Sequence, residues 1–321
     1  MARKKTGASG DAPVFFSNSM QPRWGLCCQF LDSPIKFRQA THRYVATLDE
    51  SARMQYLSGI VRDNAQALIQ AIGRCAELEI GAFRINSQIM PLATHPASGY
   101  ELSQLNDSNI IVESFQAAGK LARENQIRLS FHPDQFVVLN SVSDKVRASS
   151  IEEMNHQAMV AELIDAEALT LHVGGKVGGT QQALDRLEKG IHLLGEPARS
   201  RLALENDDRL FSPADLLPFC ERTGIPFIYD VHHHRCNPDA MLVADATRRA
   251  TATWGGREPW MHISSPRGKP DTKDFRPHAD YIDPADFPSE WLSMRMTIDV
   301  EAKEKERAVL AIQKAIRGRI A

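Results

Sequence analysis

Residues 168–195 read ALTLHVGGKVGGTQQALDRLEKGIHLLG, and this stretch holds one complete unit of the pattern that decides the fold. Its first part, ALTLHVGG (168–175), is a short apolar run of the kind found in buried strands. Residues 180–195 then repeat apolar side chains at helical spacing. Because a parallel strand reaches its neighbour through a crossover of this length, the stretch predicts one strand–helix unit of an α/β protein.

The same alternation recurs along the chain. Apolar runs predict strands at residues 23–30, 82–87, 128–133, 168–175, 201–207, 226–234, 259–265 and 296–303. Helical spacing predicts helices at 51–79, with Ser51 as N-cap, and at 108–125, 146–166, 180–195, 213–223, 238–251 and up to about Arg319. Eight strands in this order predict a single (β/α)8 TIM barrel. A doubly wound open sheet is the alternative, but its usual glycine fingerprint is missing from GLCCQFLDSP (25–34).

Composition limits the class of protein. The chain has 321 residues, of which 43% are hydrophobic and 24% charged, as in soluble globular enzymes. No apolar run approaches the roughly 20 residues of a membrane span, and five cysteines without C-x-x-C spacing predict reduced thiols. A net charge of −2 argues mildly against a nucleic-acid partner, although a local basic groove would not be visible in that sum.

The first residues differ in composition from the rest. Residues 1–20, MARKKTGASGDAPVFFSNSM, are basic and then small and polar, which predicts a disordered basic leader. Residues 21–321 are expected to form one barrel domain. Without the apolar region of a secretion signal, the protein is expected in the cytoplasm, or in the nucleus if it is eukaryotic.

Metal-ligating residue types end six consecutive predicted strands. These residues are His132, His172, Glu205, Asp230 with the run His232 to His234, His262 and Glu301. A lone histidine at such a place is more often a structural rim residue than a ligand. In a parallel barrel, however, all these strand ends meet at one face, where enzymes of this fold keep their active sites. The sequence therefore predicts that the six positions converge.

Convergence of these groups has a chemical consequence. Buried carboxylates and imidazoles without compensation cost several kcal/mol each, and divalent cations supply the missing positive charge. Imidazole and carboxylate ligands without thiolate suit Mn²⁺, Zn²⁺ or Fe²⁺, and more than four ligands predict at least two ions. Such a cluster can cleave phosphodiesters or move a hydride in a sugar isomerase, and the spacing alone does not choose between them.

The motifs that contain these residues resemble those of UV damage endonucleases. In order they are FRINSQIMPLATHP (83–96), RLSFHPDQFVVLNS (128–141), LTLHVGGKVGG (169–179), ALENDDR (203–209), PFIYDVHHHRCNP (226–238), MHISSPRG (261–268), RPHADYI (276–282) and VEAKEKE (300–306). The resemblance implies a barrel related to endonuclease IV and xylose isomerase-like proteins. It also implies a DNA repair enzyme that nicks duplex DNA immediately 5′ to UV photoproducts, leaving a 3′-hydroxyl and a 5′-phosphate.

The resemblance further implies roles for individual residues at a centre of two to three divalent ions, with Mn²⁺ preferred and Zn²⁺ or others possible. Glu205 would bridge two ions, one completed by His132 and His172 and the other by Asp230, His262 and Glu301, while His233 and His278 would hold a third. His95 would lie close to the metals, either as a catalytic group or as a loop histidine without a catalytic part.

Contacts with damaged DNA are implied in the same way. Gln135 and Phe136 would probe the duplex at the lesion, where unstacking costs least. Phosphate contacts are expected from basic residues near the strand ends, namely Arg235, Arg267, Lys269 and Lys303. No membrane and no obligatory protein partner is expected.

This chain departs from some relatives at three positions. Phe136 and Leu26 stand where some relatives have tyrosine, and Trp260 stands where some have a carboxylated lysine. The histidine run leaves a further choice open, because strand alternation would pair Asp230 with His232 whereas the resemblance selects His233. The rival functions are a sugar isomerase or epimerase, a damage-binding protein without activity, and an abasic-site endonuclease.

Overall fold

The computed structural model describes residues 21–273 and 275–320. The predicted leader, residues 1–20, lies outside the described residues. Eight parallel strands form a closed barrel in chain order, and the last strand pairs with the first. The strands are β1 (Arg23–Cys27), β2 (Ala82–Ile85), β3 (Arg128–Phe131), β4 (Ala168–His172), β5 (Leu202–Glu205), β6 (Phe227–Asp230), β7 (Trp260–Ile263) and β8 (Thr297–Val300). The predicted TIM barrel is therefore confirmed.

Helices connect the strands on the outside of the barrel. They are α1 (His42–Val45), α2 (Glu50–Glu77), α3 (Ser108–Glu124), α4 (Asp144–Ile164), α5 (Thr180–His192), α6 (Glu196–Arg201), α7 (Pro213–Thr223), α8 (Val231–Cys236), α9 (Val243–Thr253) and α10 (Lys305–Ile320). Between β7 and β8 the chain instead makes a long polar excursion with two short 3-10 turns, Pro284–Asp286 and Ser289–Ser293.

Local capping chemistry explains where some helices begin and end. The predicted N-cap Ser51 is wrong by two residues, because the carboxylate of Asp49 accepts the backbone N–H of Ala52 at 2.8 Å and begins α2 earlier. Helix α7 begins with a capping box between Ser212 and Asp215. It ends at Gly224, whose positive φ of 74° suits glycine.

Two apolar layers hold the barrel. The larger lies between the strands and the surrounding helices and includes Leu26, Phe83 and Phe131, all fully buried. The smaller fills the lower barrel interior with Ala82, Ala168, Ala203, Ile228, Trp254 and Trp260. Small side chains on some strands leave room for the tryptophan of another, as expected for a barrel interior that is packed rather than open. Above this layer the interior becomes polar.

The sixth strand is shorter than predicted, and a helix replaces its last part. The predicted strand at 226–234 ends at Asp230, and residues 231–236 form α8. The Asp230 carboxylate causes this change, since it accepts the backbone N–H of His233 at 2.7 Å as an N-cap. The helix predicted at 238–251 begins later and is α9, Val243–Thr253. Within the described ranges, no helix is long and apolar enough to cross a membrane.

Candidate metal centre

Glu205, the last residue of β5, is the central group at the strand ends. Its side chain is fully buried, and both of its oxygens face histidine rings. Glu205 Oε2 lies 2.9 Å from Nε2 of His132 and 3.7 Å from Nε2 of His172. Glu205 Oε1 lies 3.0 Å from Nδ1 of His262 and 3.2 Å from Nδ1 of His233. One carboxylate therefore joins four histidines that come from different strand ends.

Strand register brings these groups to one level. His172 pairs directly with Glu205 across β4 and β5, and Asp230 pairs with His262 across β6 and β7. Glu301 follows β8, and its Oε1 lies 3.3 Å from Nδ1 of His262. Because neighbouring parallel strands hold paired residues at the same height, the side chains meet over the polar end of the barrel.

Two groups of possible ligands share Glu205. His132, His172 and Glu205 form one group, and Glu205, Asp230, His262 and Glu301 form the other; within each group the ligand atoms lie within 4.8 Å of one another. These are the groupings that the sequence resemblance implies for two ions bridged by Glu205. Their assignment as ligands stays a prediction, because it depends on the ions themselves.

The histidine run, His232 to His234, lies in the short helix α8. Within α8, His233 points to the cluster, with Nδ1 3.7 Å from Asp230 Oδ2 in addition to its contact with Glu205. His232 is buried on another side, and its Nε2 lies 3.0 Å from the carbonyl oxygen of Arg276. Helical spacing therefore places Asp230 and His233 together, whereas strand alternation would have selected His232.

His278 reaches the same region from the polar excursion after β7. An antiparallel bridge between Pro266 and His278 holds its backbone, and its Nδ1 lies 3.6 Å from Glu301 Oε2. The rings of His233 and His278 have centroids 6.3 Å apart. The two histidines predicted to hold a third ion thus lie beside the two groups that share Glu205.

Two carboxylates of the cluster, Glu205 and Glu301, are held ionised. Burial alone raises the pKa of Glu205, but the facing His262, His172, His132 and His233 outweigh it and keep that pKa well below its usual value. Burial likewise raises the pKa of Glu301, and Arg84 and His262 lower it to far below the usual range. Arg84, on β2, donates from Nη1 to Glu301 at 2.6 Å.

Two of the histidines, His262 and His233, are held as cations in the metal-free protein. Burial lowers the pKa of His262, but Glu205 and Glu301 outweigh it and raise that pKa to about 9. Burial also lowers the pKa of His233, and Asp230 and Glu205 raise it well above its usual value. Protons thus occupy positions where a metal ion would provide the same positive charge, and binding of an ion would release them.

The donor set fits divalent ions. Two fully buried carboxylates and a third that is nearly buried meet at least four imidazoles, without thiolate. Several buried ligand-type atoms have no hydrogen-bond partner among the described residues, including Asp230 Oδ2 and His172 Nδ1. Orphaned buried polar atoms are rare in folded proteins, and an ion at the cluster would give such atoms a partner.

His95 lies apart from this cluster in its described contacts. Its ring stacks on that of His42, with centroids 4.3 Å apart, and its Nδ1 accepts backbone N–H groups of Ala97 and Ser98 at 3.2 Å. Burial, and then His42, lower the pKa of His95. This pairing with His42 has no signal in the sequence, because the two residues are far apart in the chain.

The predicted lesion probe is an exposed loop tip. Phe136 is 78% exposed, which is the largest value among the exposed large hydrophobic residues, and Gln135 beside it is also exposed. The loop is fixed immediately afterwards, where Val137 is buried and the N–H of Val138 donates to Ser150 Oγ at 2.8 Å. The Phe136 ring therefore does not pack into the interior of the loop.

The basic residues predicted to contact phosphates differ in exposure. Arg235 is half-buried and forms an ion pair with Asp286 at 3.1 Å. Arg267, Lys269 and Lys303 are exposed. Lys303 is also fixed through its backbone, which donates to the carbonyl oxygen of Ala279 at 3.1 Å.

Two of the departures from relatives lie away from the cluster. Trp260 is fully buried in the lower barrel, where the Arg128 guanidinium lies 4.3 Å from its ring centroid. Leu26 belongs to the apolar layer outside the barrel, because strand alternation turns it away from the interior that its neighbour Gly25 faces.

Sequence reasoning missed two kinds of supporting residue. Asn206 exchanges hydrogen bonds with the backbone of Asp230, with both distances at 2.9 Å, and so fixes the end of β6. Arg84 and Asp299 lie inside the barrel directly below the cluster, on β2 and β8. Their only signal was position: each is a charged residue within an apolar strand, where burial requires a partner.

Comparisons with known proteins agree with this geometry. The family model of UV-endonuclease UvdE matches residues 22–319. A UV DNA damage endonuclease of Bacillus cereus (strain B4264) is 30% identical over 285 residues, which cover 84% of this chain and 87% of that protein. The crystal structure of SacUVDE has a TM-score of 0.82 at 29% identity, covering 93% of this chain and 99% of that one.

A more distant structure shows the fold alone. Endonuclease IV from Thermus thermophilus has a TM-score of 0.58 at 15% identity, and the match covers 93% of this chain and 100% of that one. The barrel is thus shared with an enzyme of low sequence similarity.

Proposed function

This chain belongs to the UV-endonuclease UvdE family, and we propose that it nicks duplex DNA immediately 5′ to UV photoproducts, leaving a 3′-hydroxyl and a 5′-phosphate. Membership makes it an endonuclease, a hydrolase of phosphodiester bonds that acts on DNA damaged by ultraviolet light. The side of the nick, its end groups and the choice among cyclobutane dimers and 6-4 photoproducts belong to the proposal.

The observation that carries the proposal is the single carboxylate shared by two ligand groups. Glu205 would bridge two ions, His132 and His172 would complete one site, and Asp230, His262 and Glu301 the other. His233 and His278 would hold a third ion, with Mn²⁺ as the preferred metal. Divalent ions, when bound, supply Lewis-acid charge for the attacking and leaving oxygens of phosphodiester hydrolysis.

The protein's own groups prepare this centre. Arg84 orients Glu301 through its hydrogen bond of 2.6 Å, and Asn206 fixes the strand end that carries Asp230. His95 is proposed to take part in catalysis once DNA is bound, as a hydrogen-bond donor: its lowered pKa keeps the ring neutral, and because Nδ1 accepts the backbone N–H groups of Ala97 and Ser98, the ring proton lies on Nε2.

Recognition of the lesion is proposed to come from the exposed loop tip. Gln135 and Phe136 would enter the duplex where a photoproduct weakens stacking, because an aromatic side chain can replace a lost stacking partner. Arg267, Lys269 and Lys303 would contact phosphates, and Arg235 would join them if it exchanges its partner Asp286 for DNA.

The test uses DNA of defined damage. End-labelled duplexes carry one cyclobutane dimer, one 6-4 photoproduct, one abasic site or no lesion, and are incubated with Mn²⁺ or with chelator. We expect one nick 5′ to each photoproduct, ends that a polymerase extends without treatment, and no nick with chelator.

Other outcomes would decide among the rivals. Nicking of the abasic duplex alone would make the protein an abasic-site endonuclease, and photoproduct binding without any nick would make it a damage-binding protein. A nick on the 3′ side of the lesion would contradict the proposed reaction while leaving the family unchanged.

A further inference from the structure

Asp299, in β8, is a buried acid that the proposed centre leaves unexplained. Its side chain is fully buried, and neither of its carboxylate oxygens has a hydrogen-bond partner among the described residues. Burial of an ionised carboxylate without a hydrogen-bond partner is energetically unfavourable. A strand position that could hold an apolar residue therefore holds an acid at a considerable energetic cost.

The groups nearest to Asp299 link it to the centre. Asp299 Oδ2 lies 3.7 Å from Nε2 of His262, and His262 Nε2 is itself without a hydrogen-bond partner in the described chain. The other ring nitrogen, Nδ1, faces Glu205 and Glu301 at 3.0 and 3.3 Å. His262 thus has one nitrogen toward the proposed metals and the other toward Asp299.

The backbone on the other side makes room for this acid. Gly25 of β1 pairs with Asp299 in register, and a Cβ built on Gly25 would overlap Asp299 Oδ1 and lie 3.2 Å from its Cγ. A larger residue at this position would force the carboxylate to move. Glycine there has a steric reason, because the barrel interior is close-packed.

Arg84 balances the charge without satisfying the carboxylate. Its Nε lies 4.0 Å from Asp299 Oδ2, too far for a hydrogen bond, while its Nη1 is bonded to Glu301. The guanidinium thus lowers the electrostatic cost of two acids on one strand. The His262 ring nitrogen, at 3.7 Å, is closer to Asp299 than the guanidinium is.

We propose that Asp299 is a positioning residue: when the carboxylate and the His262 ring approach from their present 3.7 Å to hydrogen-bond distance, Asp299 accepts the Nε2 proton of His262 and so presents the Nδ1 lone pair of that ring to the proposed metal centre. Carboxylates that fix the tautomer and orientation of a metal-binding histidine recur in metalloproteins. Gly25 gives the carboxylate its space, and Arg84 offsets its charge. The inference rests on the proposed function, since it assumes that His262 is a ligand.

The first measurement follows Co²⁺ binding to metal-free protein by visible absorption. Asp299→Asn keeps the shape of the side chain but removes its charge, and it should lower Co²⁺ affinity at one site by about 10- to 100-fold and shift its absorption bands. Gly25→Ala, which displaces an intact carboxylate, should act in the same direction. Glu258→Gln is the matched control: this buried acid lies at the other end of the barrel, and its loss should leave the Co²⁺ spectrum unchanged.

The second measurement requires no variant to fold. In protein labelled with ¹⁵N-histidine and loaded with Zn²⁺, long-range ¹⁵N–¹H NMR should show the His262 ring protonated at Nε2 only. A ring protonated at Nδ1, or wild-type Co²⁺ affinity and spectrum in folded Asp299→Asn, would overturn the inference. These readouts do not involve DNA, so they fail or succeed independently of nicking by the wild-type enzyme.

Discussion

The barrel interior has charged groups at both ends, and the two ends are built on opposite principles. At the lower end, Glu258 accepts hydrogen bonds from Arg23 Nε and Thr297 Oγ1 at 2.8 and 2.7 Å, and Arg128 is bonded to Glu167 and Thr297. At the upper end, several polar atoms have no hydrogen-bond partner in the described part of the chain: Asp230 Oδ2, His172 Nδ1, His262 Nε2 and both oxygens of Asp299.

This difference separates a structural network from a functional one. The lower charges satisfy one another, so their arrangement is complete in the protein alone. The upper groups are complete only if something else supplies charge, and a site that depends on a ligand is expected to be suboptimal without it. Variants at the upper end should therefore affect metal binding and nicking, and variants at the lower end should affect stability.

The largest expected effect is at Glu205. Glu205→Gln keeps the size of the side chain but removes the charge that would bridge two ions, so nicking should fall by about 10³-fold or more, as several kcal/mol of transition-state stabilisation disappear. Binding of a photoproduct duplex, measured by fluorescence anisotropy, should remain largely intact. A variant that is loaded with metal and still active would contradict the bridging role.

The converse change is Glu258→Gln at the lower end. It leaves Arg23 and Arg128 without their shared acid, whose pKa these arginines hold at about 2 despite burial. We expect a loss of about 3 kcal/mol in the free energy of unfolding, measured by urea denaturation, because the variant removes the buried negative charge that pairs with both arginines. Nicking at a temperature where the variant is folded should be unchanged. Loss of nicking there would show that the two ends are coupled.

The pH dependence of the metal-free protein tests the upper end directly. The pKa of His262 is raised to about 9 in the folded chain, so its stabilising contribution is complete below its ordinary pKa of 6.5 and disappears as the pH rises through 9. The free energy of unfolding should therefore fall by about 3 kcal/mol between pH 6.5 and 9.5. The depressed pKa of Glu205 acts oppositely, and its contribution is lost as the pH falls below about 4.5.

With chelator present, the melting temperature should therefore decrease from pH 6.5 to pH 9.5. A bound metal ion would supply the positive charge that the protons supply in its absence, so saturating Mn²⁺ should weaken the dependence of the melting temperature on pH. His262→Gln should show a smaller decrease even without metal, and the remainder should come from His233, whose pKa is also raised. An equal slope in wild type and His262→Gln would show that the ring is not held as a cation in the metal-free protein.

The sequence predicts some residues of the two ends and not others. Strand-end positions follow from short apolar runs, so His132, His172 and Glu205 could be placed together from the amino-acid sequence alone. The choice between His232 and His233 could not be made from the residues alone, because it depends on where β6 ends, and the Asp230 cap decides that in three dimensions. Arg84 and Asp299 depend on register between strands distant in sequence, which periodicity does not encode.

The smallest expected effect lies outside both ends, at the exposed tip of the probe loop. Phe136→Ala should leave the melting temperature unchanged, because the ring is 78% exposed and supports little of the core. Affinity for a photoproduct duplex should fall by about 1–2 kcal/mol, or roughly 5- to 30-fold, the contribution of one aromatic stacking partner. Affinity for undamaged duplex should change much less. The matched control is Leu193→Ala, which removes another exposed apolar side chain, 59% exposed, at the end of α5. Equal losses for damaged and undamaged DNA would make Phe136 a general contact, and recognition of the lesion would then have to come from the cluster face itself.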